Sequence, residues 1–210
     1  MSYTEELQRG RAGTVRTLGV MRSLVDRGKR QEGMVLLARR VTQNSPERDA
    51  RAELGAISSW VAGHVRFVRD PVGVEALADP WSVAQNRNGD CDEQVTLAAT
   101  LAECLGYRTR FRVGGEDEDH YRHVWAEALD RNSGRWYPLD PINRSRPAGW
   151  AAPFARTESY PLLGDAMEAI AIGSGGAPFG SPQTLFPRVR EARRPRIGTS
   201  FLELATTSMS

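Results

Sequence analysis

Asn88-Gly-Asp-Cys-Asp-Glu-Gln-Val-Thr-Leu-Ala-Ala-Thr-Leu-Ala-Glu-Cys-Leu-Gly106 is the stretch on which the fold turns. Asp90 is a good helix N-cap, and Glu93 three residues later completes the Asp-x-x-Glu pattern of a capping box. Cys91, Val95, Ala98, Ala102 and Leu105 recur at spacings of four, three, four and three, so they share one helical stripe. Gly106 suits the left-handed residue that closes a helix. The pattern predicts a helix over 91–105 with a thiol in its first turn, where unpaired amides and the macrodipole favour a thiolate. Cys104, near the other end, reads as a small buried hydrophobe. Thirteen residues along one helix separate the two thiols, which disfavours a disulfide and leaves two free thiols, the usage of a reducing compartment.

Downstream the period changes to two. Tyr107-Arg-Thr-Arg-Phe-Arg-Val113 alternates as a half-buried strand does. An acidic loop, Gly114 to Asp119, separates it from His123-Val-Trp-Ala-Glu-Ala-Leu129. Asp130-Arg-Asn-Ser-Gly134 is rich in turn formers, and Arg135-Trp-Tyr-Pro-Leu-Asp140 follows as a third strand. A turn centred near Asn132 places His123 opposite Asp140 or Pro141. An imidazole beside a carboxylate on neighbouring strands has one ring nitrogen held by the acid and the other left for chemistry. With the thiol of the preceding helix this makes a nucleophile, a base and an orienting group.

Upstream, residues 1–45 hold nine basic and four acidic side chains, with apolar positions at helical spacing in Leu18, Met21, Leu24 and Val25 and again from Met34 to Ala38. They are expected to form a helical extension of two short helices or one broken one. Ser45-Pro46 suggests an N-cap followed by a first helical residue, opening a helix over 47–68 with Leu54, Ile57, Val61 and Val65 on one face. Residues 71–89 read as loop. The expected division is an extension over 1–45, a core over 46–163 and an irregular tail over 164–210 that is flexible or docks a partner.

Composition narrows the class. With 40% hydrophobic and 26% charged residues over 210 positions, the chain is an ordinary globular one with room for a real core. Arginine fills all the basic positions but Lys29, yet the net charge is only +2, which gives no case for nucleic-acid binding. No apolar run is long enough to span a bilayer and the first residues lack a secretory core, so a cytoplasmic protein is expected. His120 and His123 lie three apart on a strand and so point to opposite faces, and no Cys-x-x-Cys pair accompanies them; no metal and no cofactor are expected. The run Glu116–Asp119 lacks calcium-loop spacing and reads as solvated.

Asn88-Gly-Asp-Cys-Asp-Glu, His123-Val-Trp-Ala-Glu and Trp136-Tyr-Pro-Leu-Asp140-Pro, in that order, resemble the three motifs of the transglutaminase-like superfamily. The resemblance implies an α+β, papain-like core in which a nucleophile helix packs on an antiparallel sheet. It assigns Cys91 as nucleophile, His123 as general base and acid, and Asp140 as orienter. It also suggests an oxyanion donor besides the Cys91 amide, either the side chain of Gln85 or the indole of Trp81, and both alternatives stay open. The implied reaction is acyl transfer from a peptide or glutaminyl amide through a thioester, with hydrolysis preferred to cross-linking and a protein or peptide as substrate. The family includes inactive copies and resembles domains encoded in bacteriophages. The alternative reading is therefore a structural or assembly protein, including one of a virion, that keeps the fold and binds partners through its arms.

Overall fold

The computed structural model describes residues 3–6, 10–70, 74–116, 121–144, 146, 149–150 and 152–160. The tail over 164–210, His120 and the acidic positions 117–119 lie outside them. The elements in chain order are β1 (Tyr3–Glu6), α1 (Gly10–Gly28), α2 (Glu32–Thr42), α3 (Ala50–His64), β2 (Arg66–Phe67), β3 (Val74–Leu77), α4 (Pro80–Asn86), β4 (Asn88–Gly89), α5 (Cys91–Cys104), β5 (Arg108–Gly115), β6 (Tyr121–Asp130), β7 (Arg135–Leu139) and β8 (Arg156–Tyr160). An α+β fold with α5 packed on an antiparallel sheet is what these elements build. No described helix is long and apolar enough to cross a membrane.

The helix α5 sits at the centre. Every residue from Gln94 to Ala102 is buried, so the single stripe seen in the sequence understates its burial. A helix enclosed on all sides must be apolar or self-satisfied all round. Thr96 and Thr100 meet that demand by donating to the carbonyls of Asp92 and Thr96 at 2.6 and 2.8 Å. Leu18, Met21, Leu24 and Val25 of α1, Met34 and Ala38 of α2, and Leu54, Ile57 and Val61 of α3 join α5 and the sheet in one core. The first forty residues thus supply part of the wall around α5.

Beside α5 lies a four-stranded antiparallel sheet in the order β7-β6-β5-β8. Thr109, Phe111 and Val113 of β5, with Val124, Ala126 and Ala128 of β6, are buried on its inner face. Arg108, Arg110 and Arg112 alternate with them. The turn before β5 closes on Gly106, whose φ of +89° is the left-handed conformation expected of a helix-closing glycine. The strand β8 had no counterpart in the sequence reading, because Arg156-Thr-Glu-Ser-Tyr160 has no apolar alternation; it is an edge strand held by pairing with β5.

Two boundaries move. The helix α3 starts at Ala50, not after Ser45, because the Asp49 side chain accepts from the Ala52 amide at 3.0 Å and takes the capping role. It ends at His64, not Val68, because the following residues pair as β2 with β4, with Arg66 opposite Asn88 and Phe67 opposite Gly89. Residues 71–89 are also not all loop. Asp79 caps Trp81, Pro80 occupies the first turn, and Arg87 closes the short helix α4 at φ +56°.

Candidate active site

Asp90 Oδ1 accepts from the Glu93 amide at 3.1 Å, and Glu93 Oε2 accepts from the Asp90 amide at 3.0 Å, so the capping box forms in full. Glu93 Oε1 also accepts from the Ala78 amide at 2.8 Å, and Gln94 Nε2 donates to the Gly89 carbonyl at 3.0 Å. The head of α5 is therefore tied to the two segments that precede it. Cys91 is its first residue and is only 4% exposed. Its thiol donates to Asp92 Oδ1 at 3.2 Å. That acceptor favours the S–H form, whereas the amides of the helix start favour negative charge on sulfur. Asp92 stands within the first motif, but its contact with the thiol had no signature in the spacing.

His123 and Asp140 meet. Nε2 of the imidazole lies 2.7 Å from Oδ2 of the carboxylate, with the two residues 6% and 7% exposed. Ala126 pairs with Leu139 and Asp130 with Arg135, so continuing the ladder sets Asp140 opposite Trp125 and one step from the expected register. The contact with His123 is the diagonal one, between residues two apart on the same face. Asn143 Nδ2 donates to the same Oδ2, at 2.5 Å. An Asp-x-x-Asn turn after the third strand could have flagged Asn143, which the sequence reading passed over. The ring nitrogen left over is Nδ1.

From their junction α5 and β5 run comparable lengths. Thr109 Oγ1 donates to Glu103 Oε1 at 2.7 Å, which pins the start of β5 to the tail of α5. From Glu103 back to Cys91 is about 18 Å of helix, and from Thr109 on to Gly114 is about 17 Å of strand. Gly114 is the register partner of His123. The imidazole shares a sheet face with Trp125, and the two rings stack with centroids 5.9 Å apart.

The oxyanion candidates are placed differently. Trp81 sets its six-membered ring against α2, where a Cβ on Gly33 would come within 2.8 Å of the indole. Gln85 is exposed on α4. Neither takes part in the His123–Asp140 contact. His64 donates from Nδ1 to the Trp60 carbonyl at 2.9 Å and stacks on that indole. Among the described residues no cluster of three or more His, Cys, Asp or Glu could hold a metal.

Cys104 marks the contrast within α5. Its thiol donates weakly to the Lys29 carbonyl, and burial, aided by the neighbouring Glu103 carboxylate, pushes it up to about 11.

Comparison with known proteins adds to this geometry. The model of the transglutaminase-like superfamily matches residues 36–141, half of the chain. No curated protein matches. Similar solved structures include a candidate protease from Parabacteroides distasonis, at 16% identity and a TM-score of 0.44 over 61% of this chain and 28% of that one. A candidate cysteine protease from Cytophaga hutchinsonii has 16% identity and a TM-score of 0.43 over 61% of this chain and 48% of its own. A structure described as a TGase has 16% identity and a TM-score of 0.39 over 65% of this chain and 35% of its own. The chain spans less than half the length of each of these structures. The matched segment runs from α2 through the head of α5 and the β6–β7 hairpin, and the chain belongs to the transglutaminase-like superfamily.

Proposed function

We propose that the protein is a cysteine acyl-transfer enzyme that attacks peptide or glutaminyl amides through Cys91. The observation that carries this reading is the buried His123–Asp140 pair, in a chain whose Cys91 opens a capped helix. Asp140 holds Nε2, so Nδ1 is the nitrogen available to take the proton from Cys91 Sγ. The sulfur then forms a bond to the carbonyl carbon while the C=O electron pair moves onto oxygen. The amide of Cys91 is the natural donor to that oxyanion, with Gln85 or Trp81 as a second. When the intermediate collapses, the C–N bond breaks and the leaving nitrogen takes the proton back from His123. Water, deprotonated by the same imidazole, then attacks the thioester and releases the acid and the thiol. A primary amine in place of water would give transamidation, and hydrolysis is the preferred outcome.

Two measurements test this. Iodoacetamide applied across pH, with the adduct located by mass spectrometry, should label Cys91 rapidly below pH 7. Cys104, at about 11 against an ordinary 9.0, should react about a hundredfold more slowly than an ordinary thiol at neutral pH. If Cys91 labels no faster than a free thiol, the enzyme reading loses its support and a binding or assembly role takes its place. A glutamine peptide with a primary amine then separates the reactions, since ammonia release without amine incorporation means hydrolysis.

A further inference from the structure

The segment between β7 and β8 supplies a ring that the reaction scheme does not use. Phe154, half-buried just before β8, lies with its ring centroid 5.9 Å from that of His123 at 32° and 6.1 Å from that of Trp125 at 17°. With the His123–Trp125 stack at 5.9 Å, the three rings form one aromatic cluster on the sheet face that carries the His123–Asp140 pair. The seat for Phe154 is made by an absence. Gly114 pairs with His123 on one side and with Thr157 of β8 on the other. A Cβ at Gly114 would lie 2.2 Å from Cδ2 of Phe154 and 2.5 Å from Cγ, closer than atoms can approach. The clash falls on the near end of a ring packed on two others, so an added Cβ must drive the whole ring from its seat. Only glycine at this register position lets the ring rest on the backbone beside the imidazole.

We propose that Phe154, seated on the bare backbone of Gly114, is a positioning residue that fixes the plane of the His123 imidazole and screens its face from water. This role rests on reading His123 as the base that serves Cys91. Asp140 restrains the ring at one nitrogen, but a single hydrogen bond leaves the imidazole able to tilt about it. Trp125 and Phe154, each 5.9 Å from the imidazole and packed on one another, wedge against it and oppose that tilt, so Nδ1 keeps one direction. The shielding also strengthens the His123–Asp140 hydrogen bond by lowering the local dielectric.

The test is acylation of histidine by diethyl pyrocarbonate in the full chain, with exposed His64 as internal reference. In the native protein His123 should react far more slowly than His64. Phe154→Ala should raise the His123 rate about tenfold, the scale set by loss of an aromatic contact. Gly114→Ala should do the same by displacing the ring, and the two changes together should exceed neither alone, because both act through one side chain. In addition, the pH profile of Cys91 alkylation should flatten in Phe154→Ala and recover in Phe154→Tyr, which a merely structural role would not produce. A His123 rate within about twofold of native in Phe154→Ala, or full additivity with Gly114→Ala, overturns the proposal. Should Gly114→Ala fail to fold, Phe154→Ala against Phe154→Tyr decides it. Failure of the catalytic reading looks different, because Cys91 would then label slowly in the native chain while His123 protection still depended on Phe154.

Discussion

The two ends of α5 each carry a cysteine and a cluster of charged side chains, and they are put to opposite uses. At the tail, Glu103 has its side chain 5% exposed and is gripped by Arg22 of α1 at 2.5 Å and by Lys29 at 2.8 Å, with Thr109 as a third donor. Arg22 also binds Asp26, which pairs in turn with Lys29. Every charge there is answered from α1 or the turn after it, and Cys104 is held as a thiol. At the head, the carboxylates of Asp90 and Glu93 bind backbone amides, which fixes the entry to the helix at Cys91. The difference teaches that a thiol becomes a candidate nucleophile through what surrounds it. Cys104 has burial and the Glu103 carboxylate against its ionisation, without the helix-start amides that offset the Asp92 acceptor at Cys91.

The largest expected effect falls at the head. Asp140→Ala should lower turnover of an amide substrate by about 10³- to 10⁴-fold, because the imidazole loses its orienting partner. A loss below tenfold in steady-state kinetics would break the parallel between the His123–Asp140 contact and catalysis. The tail should answer in stability instead. Glu103→Ala leaves the buried Arg22 guanidinium with Asp26 as its one carboxylate and should cost about 3 kcal/mol in urea unfolding. Replacing the pair together, as Arg22→Met with Glu103→Leu, should recover most of that loss, since no unpaired charge is left.

Acid should strike the tail first. Burial alone would raise the Glu103 carboxyl, but Arg22, Lys29 and Thr109 together hold it below its ordinary value of 4.5. Asp26 is likewise lowered, by Arg22 and Lys29 against its own burial. Groups depressed in the folded chain add stability above their unfolded values and lose it as pH falls through the folded ones. Unfolding free energy should therefore fall as pH drops below about 4.5, and Glu103→Gln should flatten that decline. A slope unchanged in the variant would remove the tail network from the account. The smallest effect belongs to the helix start, where Asp90→Ala should cost about 1 kcal/mol. If it also slows Cys91 alkylation in protein that remains folded, the cap positions the thiol as well as stabilising the helix.

How legible the molecule was follows from the range of each interaction. The head of α5 could be read outright, because a capping box and a helix-closing glycine are contacts within three or four residues. The β6–β7 hairpin was legible to one residue of register, since a short turn fixes its strands. The missed elements share a cause. The strands β2 and β4 hold two residues each, and β8 has no apolar alternation, so each exists only through a partner distant in sequence. The helix α4 was missed differently: Asp79-Pro80 carried a start signal, and the prolines and glycines around it masked a helix of seven residues.

The residues alone determined which side chains could do chemistry, through the local patterns around Cys91, His123 and Asp140. Tertiary structure alone decided their surroundings: Asn143 beneath Asp140, Phe154 on Gly114 beside His123, and Arg22 at the far end of α5. Local hydrogen bonds leave their mark at fixed spacings, whereas contacts between Arg22 and Glu103, 81 residues apart, obey only the packing that brings them together.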